Sequence, residues 1–187
     1  MRLFIAIDLD ERAREAIAAE QARLKKAIGD QSSLKWVRDE QMHLTLVFLG
    51  EVPDDGSPRL IETIERRIDR PSFDASFEGV GMFPPRGAPR VLWIGVVAGA
   101  QEMIAVQREL AGRARQLGIA LDDRPFHPHL TLARWRGSGT ADRRRVGEAT
   151  KATTIARIRV DHVTLYRSRL SPSGSTYTPL ARATLSA

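Results

Sequence analysis

The chain contains the tetrapeptide His-Leu-Thr-Leu twice, at residues 43–46 and again at 129–132. Its surroundings repeat as well, because each copy follows an apolar run typical of a strand and a segment with the apolar spacing of a helix. The apolar runs are RLFIAIDL at 2–9 and RVLWIGVV at 90–97, and the helical segments cover 11–28 and 101–117. A repeated order of strand, helix and strand indicates an internal duplication, which restricts the fold to two similar units.

We therefore predict an α+β, bilobal fold. Each lobe has an antiparallel sheet with helices on its outer face, and a pseudo-twofold axis relates the two lobes around a central cleft. We expect a single domain over 1–187, with repeat 1 at about 1–84, repeat 2 at about 88–170 and a C-terminal strand at about 175–186. Further predicted elements are a helix over 58–69, a strand over 73–83 and a strand over 158–167.

Composition excludes several classes of protein. The 187 residues include no cysteine, so disulfides, thiolate nucleophiles and cysteine-ligated metals are excluded. No apolar run approaches the roughly 20 residues that a membrane-spanning helix needs, and we expect a cytoplasmic protein without a membrane partner. Of the net charge of +6, residues 1–93 contribute 14 − 16 = −2 and residues 94–187 contribute 15 − 7 = +8. The basic second half favours a polyanionic partner.

The repeated motif places two kinds of polar side chain together. Side chains alternate along a strand, so His43 and Thr45 share one face while the two leucines occupy the other. If the second lobe has the same geometry, His129 and Thr131 lie opposite them across the cleft. Two histidines with an ordinary pKa of about 6.5 can serve as base and acid in an in-line displacement at phosphorus. Threonine hydroxyls would donate hydrogen bonds to the phosphate oxygens, and this chemistry needs no metal or cofactor.

The other two histidines fit this scheme less well. Residues 162–165 read His-Val-Thr-Leu, but His162 begins the last strand of its unit and not the strand that follows the first helix. We therefore predict a structural or surface role for His162. His127 lies two residues before His129, with Pro128 between them, and proline marks a strand edge. His127 is predicted to be a supporting or edge residue.

Four segments together resemble the 2H phosphoesterase superfamily and, within it, the RNA 2',3'-cyclic phosphodiesterase family, historically called 2'-5' RNA ligase. They are RLFIAIDL at 2–9, LKWV at 34–37, HLTLVFLG at 43–50 and FHPHLTLAR at 126–134. The resemblance implies hydrolysis of RNA ending in a 2',3'-cyclic phosphate to a 2'-phosphomonoester, with weak 2'-5' ligation as the reverse reaction. It also implies that no metal and no cofactor take part, and we expect the protein to be a monomer.

The resemblance also assigns roles to the motif residues. His43 would be the proton donor to the departing 3'-oxygen, and His129 would be the proton acceptor toward water. Thr45 and Thr131 would hold the phosphate. Because the two motifs are alike, the residues alone leave open which histidine is the acid and which the base.

Several residues near the motifs have open roles. Arg134 closes the second motif and is a candidate phosphate ligand, although strict alternation from His129 places it on the opposite face. Aromatic residues close to the motifs could stack on a base or lie in the core, and arginines at 143–145 could follow an RNA backbone or be solvated. The aromatic residues are Trp36, Phe48 and Phe126.

Two alternative functions remain compatible with the residues. The first is a 2H phosphoesterase that acts on a small cyclic nucleotide or an ADP-ribose cyclic phosphate. The second belongs to another class, a non-catalytic RNA-binding module whose duplicated strands form a surface. The basic second half of the chain favours a longer polyanion over a small one.

Overall fold

The structure is a computed structural model that describes residues 1–29, 33–151, 153–171 and 174–186. These residues form ten strands, four α-helices and one short 3₁₀ helix over Asp39–Gln41. The strands are β1 (Arg2–Ile7), β2 (Leu34–Trp36), β3 (Leu44–Glu51), β4 (Ile68–Pro71), β5 (Phe73–Phe83), β6 (Val91–Val96), β7 (His129–Trp135), β8 (Thr154–Val160), β9 (His162–Ser171) and β10 (Gly174–Ser186). The helices are α1 (Glu11–Ile28), α2 (Ser57–Glu65), α3 (Ala100–Gln116) and α4 (Thr140–Ala149).

Two five-stranded sheets carry the fold, in the orders β3-β1-β9-β10-β4 and β2-β7-β6-β5-β8. The predicted α+β fold with two sheet-based lobes is confirmed. The two strand orders correspond position by position. In the first sheet the order is β3, β1, β9 and β10, and the equivalent strands of the second sheet are β7, β6, β5 and β8. Each sheet nevertheless takes strands from both halves of the chain, because β9 and β10 complete the first sheet while β2 and β5 complete the second. The two sheets therefore do not coincide with the two sequence repeats, which we place at about 1–84 and 88–170.

Two predicted elements differ from the structure. Helix α2 ends at Glu65 and not at 69, because the next residue has extended dihedrals (φ −57°, ψ 138°) and Ile68 begins β4. Strand β4 pairs in parallel with β10, where Ile68 faces Leu185, so the first sheet is not wholly antiparallel. The strand predicted over 158–167 is two strands, β8 and β9, which separate at Asp161 and enter different sheets.

The ends of helix α1 follow from local capping. The carboxylate of Asp10 accepts a hydrogen bond from the backbone N–H of Ala13 at 2.7 Å, which satisfies one of the unpaired donors of the first turn. Gly29, at φ 79°, ends the helix in the left-handed region, where glycine carries no steric penalty. The helix buries one face at helical spacing, and the residues of that face are Ala13, Ile17, Leu24 and Ile28.

The helices connect the two lobes. Helix α1 follows a strand of the first sheet but packs against β8 of the second sheet and against α4. Helix α3 follows a strand of the second sheet but packs against β3 of the first sheet and against α2. The buried apolar side chains of both sheets form one continuous cluster as a result.

Among the helices that the structure describes, none combines the length and the apolarity needed to cross a membrane.

Candidate active site

The two motif histidines have the same backbone partner in each lobe. Nδ1 of His43 lies 2.8 Å from the carbonyl oxygen of Gln41, and Nδ1 of His129 lies 2.7 Å from the carbonyl oxygen of His127. A carbonyl only accepts, so Nδ1 carries the proton in both rings and donates it. Each Nε2 is then the nitrogen that gains or loses a proton, and among the described residues neither Nε2 has a hydrogen-bond partner.

The strands that carry the motifs lie against each other. Strand β3 is the edge strand beside β1, and β7 lies between β2 and β6. Contacts between β3 and β7 join the two sheets, so the structure brings the two motifs to one region. Thr45 pairs with Ala6 on β1, and Thr131 pairs with Trp93 on β6, which gives the two threonines equivalent positions.

Arg134 lies on the same face as the histidines, contrary to strict alternation. The register of β7 shifts between Leu92 and Trp93, where Leu132 forms a bulge that leaves it without a partner on β6. A bulge of one residue inverts the alternation beyond it, so Arg134 returns to the face of His129 and Thr131. Burial is the main cause of the lowered pKa of His43 and His129, and the positive charge of Arg134 adds to this effect at both rings.

The first lobe has a matching bulge. Leu46 has no partner in the pairing of β1 with β3, and the bulge brings Phe48 to the face of His43. The side chain of Phe48 is 62% exposed. Phe48 and Arg134 therefore occupy equivalent positions in the two lobes, and the cleft has an aromatic ring on one side where it has a guanidinium on the other.

Aromatic rings surround each histidine, and sequence reasoning missed most of them. In the first lobe, the ring of Phe4 lies 4.9 Å and the ring of Tyr177 5.1 Å from that of His43. In the second lobe, the ring of Phe83 lies 5.0 Å and the ring of Trp93 6.1 Å from that of His129. Phe4 and Trp93 lie on the strands next to the motif strands, and their positions in the sequence could have indicated these contacts. Tyr177 lies on β10, far from the motif in the sequence, so no local pattern indicates its contact.

Burial is the main influence on both histidines, and it lowers the pKa of each below 6.5 because it penalises the charged form. For His43, the bond to Gln41 and the negative charge of Asp8 oppose this effect, while Arg14 and Arg134 add to it. For His129, its backbone bond opposes the effect, and the charges of His127 and Arg134 add to it. The two rings thus share one geometry but differ in their charged neighbours.

His162 lies in the first sheet but outside the matched pair. It begins β9, and its Nδ1 hydrogen-bonds the carboxylate of Asp161 rather than a backbone carbonyl. Its Nε2 is buried without a hydrogen-bond partner, 3.6 Å from the carboxylate of Asp8. The nearby carboxylates raise the pKa of His162, with Asp8 having the larger effect. The geometry of His162 differs from that of both motif histidines.

The other candidates occupy different environments. His127 stacks on His129 at 6.3 Å and has its ring 5.0 Å from that of Trp93, so it supports the second motif. Trp36 and Phe126 are partly buried against the core. The guanidinium of Arg143 donates to the carbonyl oxygens of residues 84 and 87, at 2.7 and 3.1 Å, so this side chain ties helix α4 to a loop.

The remaining two arginines of that run have acidic neighbours on α4. Arg144 lies 3.9 Å from Glu148, and Arg145 lies 3.5 Å from Asp142. In the part of the chain that the structure describes, no group of three His, Asp or Glu side chains is arranged to hold a metal ion.

Comparisons with known proteins identify close relatives. Residues 9–171 match the family model described as the 2'-5' RNA ligase superfamily. An Archaeoglobus fulgidus protein named RNA 2',3'-cyclic phosphodiesterase is 34% identical over 182 residues, which cover 96% of this chain and 98% of the relative.

Solved structures of similar proteins align with nearly the whole chain. A Thermus thermophilus protein aligns with a TM-score of 0.79 at 29% identity, over 98% of this chain and 97% of that one. E. coli LigT in complex with 3'-AMP aligns with a TM-score of 0.78 at 30% identity, over 100% of this chain and 98% of that one.

Proposed function

The chain belongs to the 2'-5' RNA ligase superfamily, and on that basis we propose that it hydrolyses RNA ends carrying a 2',3'-cyclic phosphate to 2'-phosphomonoesters. Relatives at 30 to 34% identity over most of the chain bear the name RNA 2',3'-cyclic phosphodiesterase, which supports this activity. The observation that carries the proposal is that His43, just before β3, and His129, at the start of β7, are anchored in the same way through Nδ1 to the backbone carbonyl two residues earlier.

In the proposed mechanism, the two histidines transfer protons on opposite sides of the phosphorus. Nε2 of His129 takes a proton from water as the water oxygen attacks the phosphorus. Nε2 of His43 gives a proton to the 3'-oxygen as the bond between phosphorus and that oxygen breaks, and the phosphate stays on the 2'-oxygen. The anchored Nδ1 of each ring keeps Nε2 directed at the reaction, so the neutral ring is a base and the protonated ring an acid.

Thr45, Thr131 and Arg134 are the proposed phosphate ligands. Thr45 and Thr131 occupy equivalent strand positions, and Arg134 lies on the same face as His129. These positions support hydrogen bonds from the hydroxyl and guanidinium groups to the non-bridging oxygens of the phosphate. Such donors stabilise the charge that grows on those oxygens in the transition state. Because side chains supply both proton transfers and this stabilisation, we propose that no metal or cofactor takes part.

Three further properties belong to the same proposal. Attack by the hydroxyl of a second RNA end in place of water, with its proton passing to His129 and the 3'-oxygen leaving with a proton from His43, would give weak 2'-5' ligation, which is the reverse of cleavage of a 2'-5' linkage. One chain supplies both histidines, which supports action as a monomer. The RNA substrate supports the expected cytoplasmic location.

The test is hydrolysis of a short RNA with a 2',3'-cyclic phosphate end in the presence of a chelator. We expect a 2'-phosphate product, and loss of about 100- to 10,000-fold in kcat for His43→Ala and for His129→Ala, as for loss of a general acid or base. His162→Ala is the matched control, because it removes a histidine from the same kind of motif in a different environment. Full activity in both single variants, or dependence on added metal, would contradict the mechanism.

A second candidate is hydrolysis of a small cyclic nucleotide or an ADP-ribose cyclic phosphate. E. coli LigT was solved with 3'-AMP, so a mononucleotide binds that similar protein. The net charge of +6 favours the longer RNA. Comparison of kcat/KM for the RNA, a mononucleotide 2',3'-cyclic phosphate and ADP-ribose cyclic phosphate decides between them, and binding of RNA without turnover would leave only the RNA-binding module.

A further inference from the structure

Asp8 lies beside the first histidine because of strand register. Strand β1 pairs Ala6 with Thr45 and Ile7 with Leu44, so the residue that follows β1 comes next to His43. Along β1, Asp8 belongs to the same face as Phe4 and Ala6, which is the face of the motif side chains. Burial lowers the pKa of His43, and the negative charge of Asp8 opposes this effect.

Strand β9 holds the Asp8 carboxylate in place. One oxygen accepts a hydrogen bond from the hydroxyl of Thr164 at 2.7 Å, and the other accepts one from the hydroxyl of Tyr166 at 2.6 Å. The side chain is 25% exposed. Burial alone would raise the pKa of Asp8, but His162 and the two hydroxyls lower it to about 2. Asp8 is therefore an anion at every pH at which a histidine titrates.

The hydrogen bond from Tyr166 also links Asp8 to His43 through packed aromatic rings. The ring of Tyr166 stacks on Phe4 with centroids 5.3 Å apart and planes inclined at 19°. Phe4 also packs against His43, with ring centroids 4.9 Å apart. Asp8 thus fixes one end of a row of three rings that ends at His43.

The second lobe has no equivalent carboxylate at the matching position. Gly95 pairs with His129 on β6, where Asp8 stands next to His43 in the first lobe. A Cβ atom at residue 95 would lie 3.2 Å from the carbonyl oxygen of Glu78, so a side chain would be crowded there. The charged groups that act on His129 are His127 and Arg134, and both disfavour a second positive charge. The two lobes share a fold but differ in the charged groups that act on the motif histidine.

We propose that Asp8 is a positioning residue that holds His43 in its ring stack and supports the role of His43 as the proton donor. This inference rests on the proposed function. The other charged or titratable groups that face His43 are Arg14 from α1, Arg134 from β7, Tyr166 from β9 and Tyr177 from β10. Of the charged groups, the two arginines oppose the proton on His43, and Asp8 favours it.

The main test is Asp8→Asn, which keeps the size and the hydrogen-bonding oxygen but removes the charge. Without Asp8, His43 loses its proton at lower pH, so the alkaline limb of kcat against pH should move to lower pH while KM and the acidic limb stay. A move of one pH unit lowers the protonated fraction about tenfold above that limb. Asp161→Asn is the matched control, because it removes the other carboxylate next to His162 and should leave the limb unchanged.

A titration that does not use activity separates the inference from the proposed function. The imidazole NMR signal of His43 should titrate at lower pH in Asp8→Asn than in the unaltered protein, while the signal of His129 should not move. If the unaltered protein hydrolyses no cyclic phosphate, the proposed function fails, and this titration still tests the link between Asp8 and His43.

Asp8→Ser, which is smaller and keeps an oxygen for Tyr166, replaces Asp8→Asn if that variant does not fold. An unchanged alkaline limb, a move of the acidic limb alone, an effect on KM alone, or an equal shift in Asp161→Asn would overturn the inference.

Discussion

The two ring nitrogens of each motif histidine have separate roles, because one of them donates a hydrogen bond to a backbone carbonyl. The carbonyl oxygens of Gln41 and His127 hold Nδ1, and this bond fixes the neutral tautomer and the orientation of the ring. Nε2 remains available for proton transfer, and burial keeps its pKa low. A ring with a lowered pKa gives up its proton readily, which suits a group that must both gain and lose one in each turnover.

Removal of Arg134 should change both the rate and the pH profile. Arg134→Ala should lower kcat about 100- to 1,000-fold, the usual cost of one donor to a developing oxyanion. It should also move both limbs of the pH profile to higher pH, because the positive charge of Arg134 lowers the pKa of both histidines. Arg134→Lys keeps the charge, so its limbs should stay in place while the two-pronged contact is lost.

The measurement for this prediction is kcat across pH 5 to 9 for both variants. Arg136→Ala is the control, since it removes an exposed arginine two residues further along the chain. Unmoved limbs in Arg134→Ala would show that its charge does not act on the histidines.

At the scale of elements, two bulges determine which side chains enter the cleft. Leu46 and Leu132 occupy equivalent places, three residues after each histidine, and each inverts the alternation of its strand. A bulge leaves no signal in an apolar sequence such as LTLVFL, because leucine is suitable both for a paired and for an unpaired buried position. This is why strict alternation placed Arg134 on the wrong face.

Gly81 on β5 packs closely against the ring of Trp93. A Cβ atom at this position of β5 would lie 2.2 Å from two ring atoms of Trp93 on β6, so Gly81→Ala forces the indole to move. We expect a loss of about 1 to 3 kcal/mol in the free energy of unfolding, as for overpacking, and a lower kcat because Trp93 borders His127 and His129.

Urea unfolding and kcat measure the effect of Gly81→Ala. The control is Gly112→Ala in α3, where nothing lies within 4 Å of the added Cβ, and where alanine should stabilise the helix by about 0.5 to 1 kcal/mol. Equal stability of the two variants would contradict the close packing of Trp93 on Gly81.

At the scale of the whole molecule, exchange of strands makes the two lobes depend on each other. Neither half of the chain contains a complete sheet, since β9 and β10 belong with β1 while β5 belongs with β6. Helices α1 and α3 also pack across the lobes. We therefore propose that residues 1–187 are one domain, as the sequence led us to expect, despite the duplication.

Cooperative unfolding tests the single domain. The three tryptophans, Trp36, Trp93 and Trp135, all lie in the second sheet, so their fluorescence reports that sheet, whereas the NMR signal of His162 reports the first. We expect both probes to give the same urea midpoint, because lobes that share strands and core lose their structure together. Two separated midpoints would indicate lobes that unfold independently.

Local sequence patterns were enough to predict the fold class, the duplication, the repeated motif and most element boundaries. These features depend on local periodicity and capping, as in α1, whose predicted range of 11–28 agrees with the structure. Position within the repeat separated His162 from His43 and His129, because a repeated order of elements is visible in one dimension. The family resemblance also came from contiguous residues and is confirmed.

Long-range pairing in the folded chain determines which strands share a sheet and which groups surround each histidine. The crossing at Asp161, the parallel pair of β4 and β10, and the side of Arg134 all depend on pairings between residues far apart in the chain. The asymmetry between Asp8 and Gly95 depends on them as well, since register alone brings each next to its histidine. Two nearly identical motifs therefore have different charged neighbours, because pairing in the folded chain brings residues that are distant in the sequence next to each histidine.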